Sequence, residues 1–164
     1  MIIICDSSPL IALAICNKLA ILEKLYGKVV VPRAVYNEIV VRSKPNALEL
    51  IEWTRDKVVD INDDDLADAI NVVLDRGESE AIALYKELNA DVLLIDEKAG
   101  REYAEGYGVK IIGTLGVLLK AKQSGLVKEI KSDISILKQS TIRISDELYE
   151  RILGLAGEIG GSNG

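Results

Sequence analysis

The chain contains no histidine. That absence removes every mechanism built on an imidazole base, including the Ser-His-Asp and Cys-His arrangements. Any acid–base chemistry falls to carboxylates, Lys, Tyr or a metal-bound water. Cysteine is almost as scarce: Cys5 and Cys16 sit in apolar runs without a Cys-x-x-Cys pairing, so a zinc site of Cys and His ligands is excluded by counting. Both thiols read as small buried hydrophobes. Long hydrophobic runs are also missing. The longest uncharged stretch after Asp6 extends from Ser7 to Asn17, too short to span a bilayer, so no membrane partner is expected. Met1 to Asp6 has neither the basic start nor the small-residue cleavage site of a secretory signal, and the expected location is the cytoplasm.

What is present fits one soluble domain. The 164 residues are enough for a continuous core, 49% of them are apolar, and 28% are charged. The net charge of −6 argues against a broad nucleic-acid-binding face, which would need clustered Lys and Arg. A small acidic centre that takes a divalent cation would pull the balance the same way, so charge alone leaves the function open.

Hydrophobic periodicity predicts an α/β chain. Met1 to Cys5 is an Ile-rich run that reads as a buried strand, and Asp6-Ser7-Ser8-Pro9 are helix-start residues. Leu10 to Leu25 carries a helical pattern in two pieces closed by Gly27. Lys28 to Val31 is a second strand, with Pro32 opening a helix through Val41. Ala47 to Thr54 continues helically, and Val58 to Ile61 is a short extended piece. After the N-cap candidates Asn62 to Asp65, the spacing of Leu66, Ala69, Ile70, Val73 and Leu74 predicts a helix closed by Gly77. Glu78 to Leu88 is the next helix, Val92 to Ile95 the clearest buried strand, 97–105 a helix, and Val109 to Ile112 a strand. Gly113-Thr114 caps a helix through Lys122. Leu126 to Leu137 reads as helix, Thr141 to Ile144 as an edge strand, and Ser145 to Leu155 as a last helix. The alternation implies a three-layer α/β/α fold around a mainly parallel sheet. It forms a single domain over 1–156, and the Gly-rich stretch 157–164 reads as a flexible tail.

In an open parallel sheet, ligands bind at the carboxyl ends of the strands. Two of the best strands here end in Asp, at Asp6 and Asp96. Each is an N-cap candidate, but two on one rim lie within reach of a single ion if their strands are neighbours. Glu38 follows Val35 by three and Ala34 by four, which puts it on or beside the inward face of its helix. Glu78 shares a stripe with Ala81, Ile82 and Tyr85, whereas Glu80 is roughly 200° around the helix and faces outward. Glu78 is therefore the preferred acid, with Glu80 its rival and first-turn capping the ordinary explanation. Inward carboxylates in one place repel and raise one another's pKa, and a hard divalent cation removes that conflict. Mg²⁺ or Mn²⁺ in such a site suits phosphodiester hydrolysis. Ser7 and Ser8 read as caps that could also hold an acid or touch phosphate, and Lys98, Arg101 and Thr114 lie where a phosphate could meet the rim.

Taken in order, Ile4-Cys5-Asp6-Ser7-Ser8-Pro9-Leu10-Ile11, Val31-Pro32-Arg33-Ala34-Val35-Tyr36-Asn37-Glu38-Ile39, Arg76-Gly77-Glu78-Ser79-Glu80-Ala81-Ile82 and Leu93-Leu94-Ile95-Asp96-Glu97-Lys98-Ala99-Gly100-Arg101 resemble the PIN-domain family of nucleases. Ile112-Gly113-Thr114-Leu115-Gly116-Val117-Leu118 resembles a prokaryotic PIN subfamily. The resemblance covers about residues 1 to 155. It implies Mg²⁺ or Mn²⁺ dependence and endonucleolytic cleavage, most often of RNA. It also implies kinship with toxins of the VapC type, which are neutralised by a small antitoxin and often form a homodimer. By motif, Asp6, Glu38 and Asp96 are metal-site acids, and the third family acid, commonly Asp at a helix start, falls on Glu78 or Glu80. A haloacid-dehalogenase-type phosphatase would need a second Asp where Ser8 stands, and a receiver domain would need paired acids after the first strand. A non-catalytic PIN-like module that binds nucleic acid or protein is the remaining alternative.

Overall fold

The structure is a computed structural model that describes residues 1–42, 47–140 and 143–158. Among these residues five parallel strands form one sheet: β1 (Ile2–Cys5), β2 (Lys28–Pro32), β3 (Val58–Val59), β4 (Val92–Leu94) and β5 (Ile111–Ile112), in the spatial order β3-β2-β1-β4-β5. The order reverses between β1 and β4, whose register sets Ile3 beside Val92 and Cys5 beside Leu94. A bond from Asp6 N–H to the Leu94 carbonyl (3.0 Å) extends that pairing by one residue. The two strands that end in Asp are thus neighbours at the reversal point, where open α/β sheets bind their ligands.

Ten helices cover the sheet among the described residues: α1 (Ser7–Ile15), α2 (Ala20–Tyr26), α3 (Arg33–Arg42), α4 (Ala47–Thr54), α5 (Asp64–Ile70), α6 (Arg76–Glu87), α7 (Lys98–Gly106), α8 (Thr114–Gln123), α9 (Lys131–Ser140) and α10 (Asp146–Leu155). Strand side chains alternate between two cores, as a period of two requires. Ile3, Cys5, Val29, Val31, Val92 and Leu94 face a core shared with α1–α4 and α8–α10. Ile4, Val30, Leu93 and Ile95 face a second core with α5–α7. This is the expected α/β/α arrangement. Continuous β-branched and Leu runs form these strands because both faces are buried.

Several boundaries differ from expectation. Gly77 does not close a helix. α5 stops at Ile70, and Gly77 lies in the first turn of α6, whose N-cap is Asp75. The Asp75 carboxylate accepts from Glu78 N–H (2.8 Å), and the Glu78 side chain accepts in return from Asp75 N–H (3.3 Å). This reciprocal capping overrides the stop that a glycine usually signals. Pro32 ends β2 rather than opening α3, and α9 starts at Lys131, after the expected Leu126. Of the expected edge strand, 141–142 lie outside the described residues, while Arg143 and Ile144 belong to no strand, and the sheet's edges are β3 and β5.

The expected tail starts at Gly157, whose positive φ of 72° turns the chain back after α10. Glu158 then accepts from Ile130 N–H (3.0 Å) and Lys131 N–H (3.1 Å) at the start of α9 and pairs with Lys122 at 2.8 Å. Burial works against ionising Glu158, but these donors and the Lys122 ammonium hold its pKa below the ordinary range. The remainder of the tail, 159–164, lies outside the described residues.

Candidate metal centre

Asp6 leaves the end of β1 at only 3% exposure. It stands at the N-cap position of α1 with extended backbone, yet its side chain makes no cap bond, so capping does not explain the acid. Glu38 comes in from α3, half-buried, and Ser7 Oγ donates to its Oε2 at 2.8 Å. The Ser7 hydroxyl therefore steadies Glu38 rather than Asp6. α6 supplies the third side of the site, because glycine at 77 lets the acids approach its backbone. A Cβ there would stand 3.1 Å from Glu38 Oε2 and 3.5 Å from Asp6 Oδ1. Glu78, next along, is buried with its Oε1 3.0 Å from where a Cβ on Gly100 would lie.

Burial, with charged neighbours adding to it, raises the pKa of Asp6 and of Glu78. Burial pushes Asp6 up to about 8; the Ser7 N–H works against it, and the charges of Asp75, Glu78 and Glu38 add to it. Burial likewise lifts Glu78 to about 7, with Asp75, Glu97 and Glu38 as charged neighbours. Asp75 is thus an acid of this group that sequence reading missed. The Asp-x-x-Glu of Asp75-Arg76-Gly77-Glu78 is a capping-box signature that could have revealed it, but Gly77 was read as a stop.

Glu80 lies on the same helix and is as buried as Glu78, but it serves a different structure. Its Oε1 accepts from Ala34 N–H (3.0 Å) in the first turn of α3, and its Oε2 accepts from Arg76 Nε (2.9 Å). The expectation that Glu80 faces outward is corrected: only 7% of it is exposed. The inward side of α6 is wide enough to bury both glutamates because α3 packs along it. Glu80→Gln is expected to lower stability by about 1–2 kcal/mol through the weakened charge-assisted bonds and to leave divalent-ion binding unchanged, while Glu78→Gln weakens that binding. Thermal melts and ion-binding calorimetry on both variants check this, and the opposite pattern of affinities would reverse the assignment.

Asp96 stands beside this group on the next strand end, half-buried and held from β5's side of the sheet. Its Oδ1 accepts from Thr114 N–H (2.8 Å) and its Oδ2 from the Thr114 hydroxyl (2.6 Å). Thr114 is fully buried, so it orients Asp96 rather than meeting substrate. The carboxylate also complements the N-terminal dipole of α8, whose own N-cap, Gly113, has no side chain. Arg101 approaches the same spot: a Cβ on Gly113 would stand 2.9 Å from both Arg101 Nη1 and Asp96 Oδ1. Ser8 is half-buried in the first turn of α1. Lys98 projects into solvent with Glu102 3.9 Å away.

The structure thus draws Asp6, Glu38 and Glu78 together, adds Asp75, and leaves Asp96 alongside in the grip of Thr114. The donor set is entirely oxygen, and Asp6 and Glu78 resist ionising next to each other. Both features fit a hard divalent cation, which keeps several waters and needs few direct carboxylates. Among the described residues, no three acids already stand around one point at ligand spacing.

A parallel α/β/α sheet with buried acids at its reversal point has the layout of an open α/β domain whose ligand site lies on that rim. A family model described as a PIN domain matches residues 2–158, and this chain belongs to that family. PIN domains are generally nucleases that use divalent metal ions. No curated protein and no solved structure gave a match. None of the described helices is long and apolar enough to cross a membrane.

Proposed function

We propose that this protein is a Mg²⁺- or Mn²⁺-dependent endoribonuclease that hydrolyses phosphodiester bonds, acting as the toxin of a toxin–antitoxin pair. The observation that carries the reading is the buried Asp6 gathered with Glu38 against the α6 backbone at Gly77, with Glu78 as a further charged neighbour, an arrangement of acids that repel unless a cation joins them. Asp6, Glu38, Glu78 and Asp96 would hold the ion, which supplies an activated water and a sink for charge on the attacking and leaving oxygens. The chain's own residues do the positioning. Ser7 fixes Glu38, Thr114 fixes both oxygens of Asp96, and Arg101 beside Asp96 offers a guanidinium to a phosphate. Histidine is absent, so no imidazole competes for the proton transfers.

The test is cleavage of single-stranded and structured RNA by the purified protein with Mn²⁺, and its loss in Asp6→Asn and Asp96→Asn. A wild type that binds no divalent ion by calorimetry would sink the nuclease reading. That result would favour the rival, a non-catalytic module that binds nucleic acid or protein, which is supported by the lack of three acids at ligand spacing among the described residues. The toxin role predicts growth arrest on expression, relieved by Asp6→Asn and by a small antitoxin protein. A homodimer would be read directly from light scattering.

A further inference from the structure

α6 and α7 both leave the acidic rim and meet at two points, one towards each end. At the rim end, Glu78 of α6 lies against Gly100 of α7. At the far end, Lys86 Nζ of α6 donates to the carbonyl of Tyr107, the residue that closes α7, at 2.7 Å. The eight residues from Glu78 to Lys86 advance about 12 Å along the helix. At this far end of the seam Tyr103 and Tyr107 stack, with ring centroids 5.0 Å apart and planes 21° from parallel. Their hydroxyls lie 3.3 Å apart. Tyr103 is half-buried against the core beneath the seam, whereas Tyr107 is 51% exposed. The pair is therefore an aromatic surface anchored on one side and open on the other.

One cation lies next to the pair: Lys86 Nζ stands beside Tyr107 through its bond to the Tyr107 carbonyl (2.7 Å). Of the acids of α7, Glu105 is two residues from each tyrosine, roughly 200° around the helix, and Glu102 has Lys98 3.9 Å away. Nothing in the fold requires an exposed tyrosine at 107. A half-exposed ring stacked on its neighbour, with the Lys86 ammonium beside its carbonyl, has the make-up of a stacking platform for an unpaired base.

We propose that the Tyr103–Tyr107 stack, with Lys86 at its edge, is a subsite for single-stranded RNA, in which one unpaired base of the strand that leaves the acidic centre along the α6–α7 seam stacks on Tyr107. The proposal rests on the nuclease reading for the identity of the strand. Such a subsite lends affinity without reading sequence, since every base has a π-face and larger purines stack better. It accounts for how a chain of net charge −6 holds RNA with few cations.

The test measures fluorescence anisotropy of short fluorescein-labelled oligoadenylate and oligouridylate. It uses Asp6→Asn protein without divalent ion, so that binding is separated from cleavage. Oligoadenylate is expected to bind more tightly than oligouridylate. Adding Tyr107→Ala should weaken oligoadenylate binding about 5- to 20-fold and erase the preference, as loss of a base–aromatic stack does. Tyr107→Phe, which keeps the ring, should retain both. Lys86→Gln should lower the salt dependence of binding by about one unit of slope.

Unchanged binding and preference in Tyr107→Ala would overturn the subsite, and so would a Tyr107→Phe protein as weak as Tyr107→Ala. If the unmodified chain cleaves RNA while Tyr107→Ala binds normally, the subsite falls and the nuclease reading stands. If the unmodified chain neither cleaves RNA nor binds it, both fall.

Discussion

Asp6→Asn is expected to abolish cleavage and, in metal-free protein at neutral pH or above, to make the fold more stable than the wild type. The first effect follows from removing a buried anionic oxygen that a cation at this rim would use. A loss of about a thousandfold or more is the scale for such a group. The second follows from the raised pKa. Folded Asp6 is pushed from an ordinary 3.8 to about 8, so the native state keeps a proton that the unfolded chain has released across that interval. Stability must then fall as pH rises from about 4 to about 8. Glu78, raised to about 7, acts in the same direction over a narrower window. Asparagine carries no such titration. The melting temperatures of the two proteins should therefore converge near pH 4 and separate towards pH 8, with Asp6→Asn ahead by about 1–3 kcal/mol. Mn²⁺ at a hundred times its Kd should stabilise the wild type by about 2.7 kcal/mol and leave the variant unmoved. Melts over pH with and without Mn²⁺ read the two stability effects, and an RNA-cleavage assay reads the first. A constant gap between the proteins across pH would show that Asp6 is not held against its own charge.

This stability cost at Asp6 was only partly visible before folding. Two apolar runs ending in Asp6 and Asp96 are legible as strand ends, since β-branched runs stopped by helix-start residues mean little else. That β1 and β4 are neighbours is not legible, because pairing of strands nearly ninety residues apart in sequence depends on how the intervening helices pack. The outer layers follow from helical periodicity, but the start of α6 did not, since one glycine looks alike as a stop and as a first-turn residue. Only the reciprocal bonds between Asp75 and Glu78 tell the two apart. The same misreading hid Asp75. Phase around α6 separated Glu78 from Glu80, yet could not show that α3 would bury Glu80 by presenting Ala34 N–H to it. Thr114 read as a cap, and in one sense is one, except that the group completing the helix terminus is Asp96, eighteen residues upstream. Contacts between elements are what composition and period leave out.

The Asp96 side of the rim gives the other large effect, and it turns on a residue without a side chain. Gly113 has φ −102° and ψ 175°, an extended conformation open to any amino acid, so backbone freedom does not require glycine there. Space does. A Cβ would fall 2.9 Å from Asp96 Oδ1 and 2.9 Å from Arg101 Nη1, and both must shift. Each is the end of a flexible side chain, so the fold can absorb the change at small cost. Asp96, however, would move off the Thr114 donors that now engage both its oxygens. A displacement of about 1 Å in a positioning group costs on the order of a hundredfold in rate. Gly113→Ala is therefore expected to cleave RNA about a hundredfold more slowly while melting within a few degrees of the wild type. Thr114→Val, which removes only the hydroxyl bond, should lose less, about tenfold, because the backbone N–H still holds Oδ1. Rates and melts of the two variants side by side decide the matter. If Gly113→Ala cuts at the wild-type rate, the placement of Asp96 by Thr114 has no bearing on catalysis, and the working acids are those gathered around Gly77.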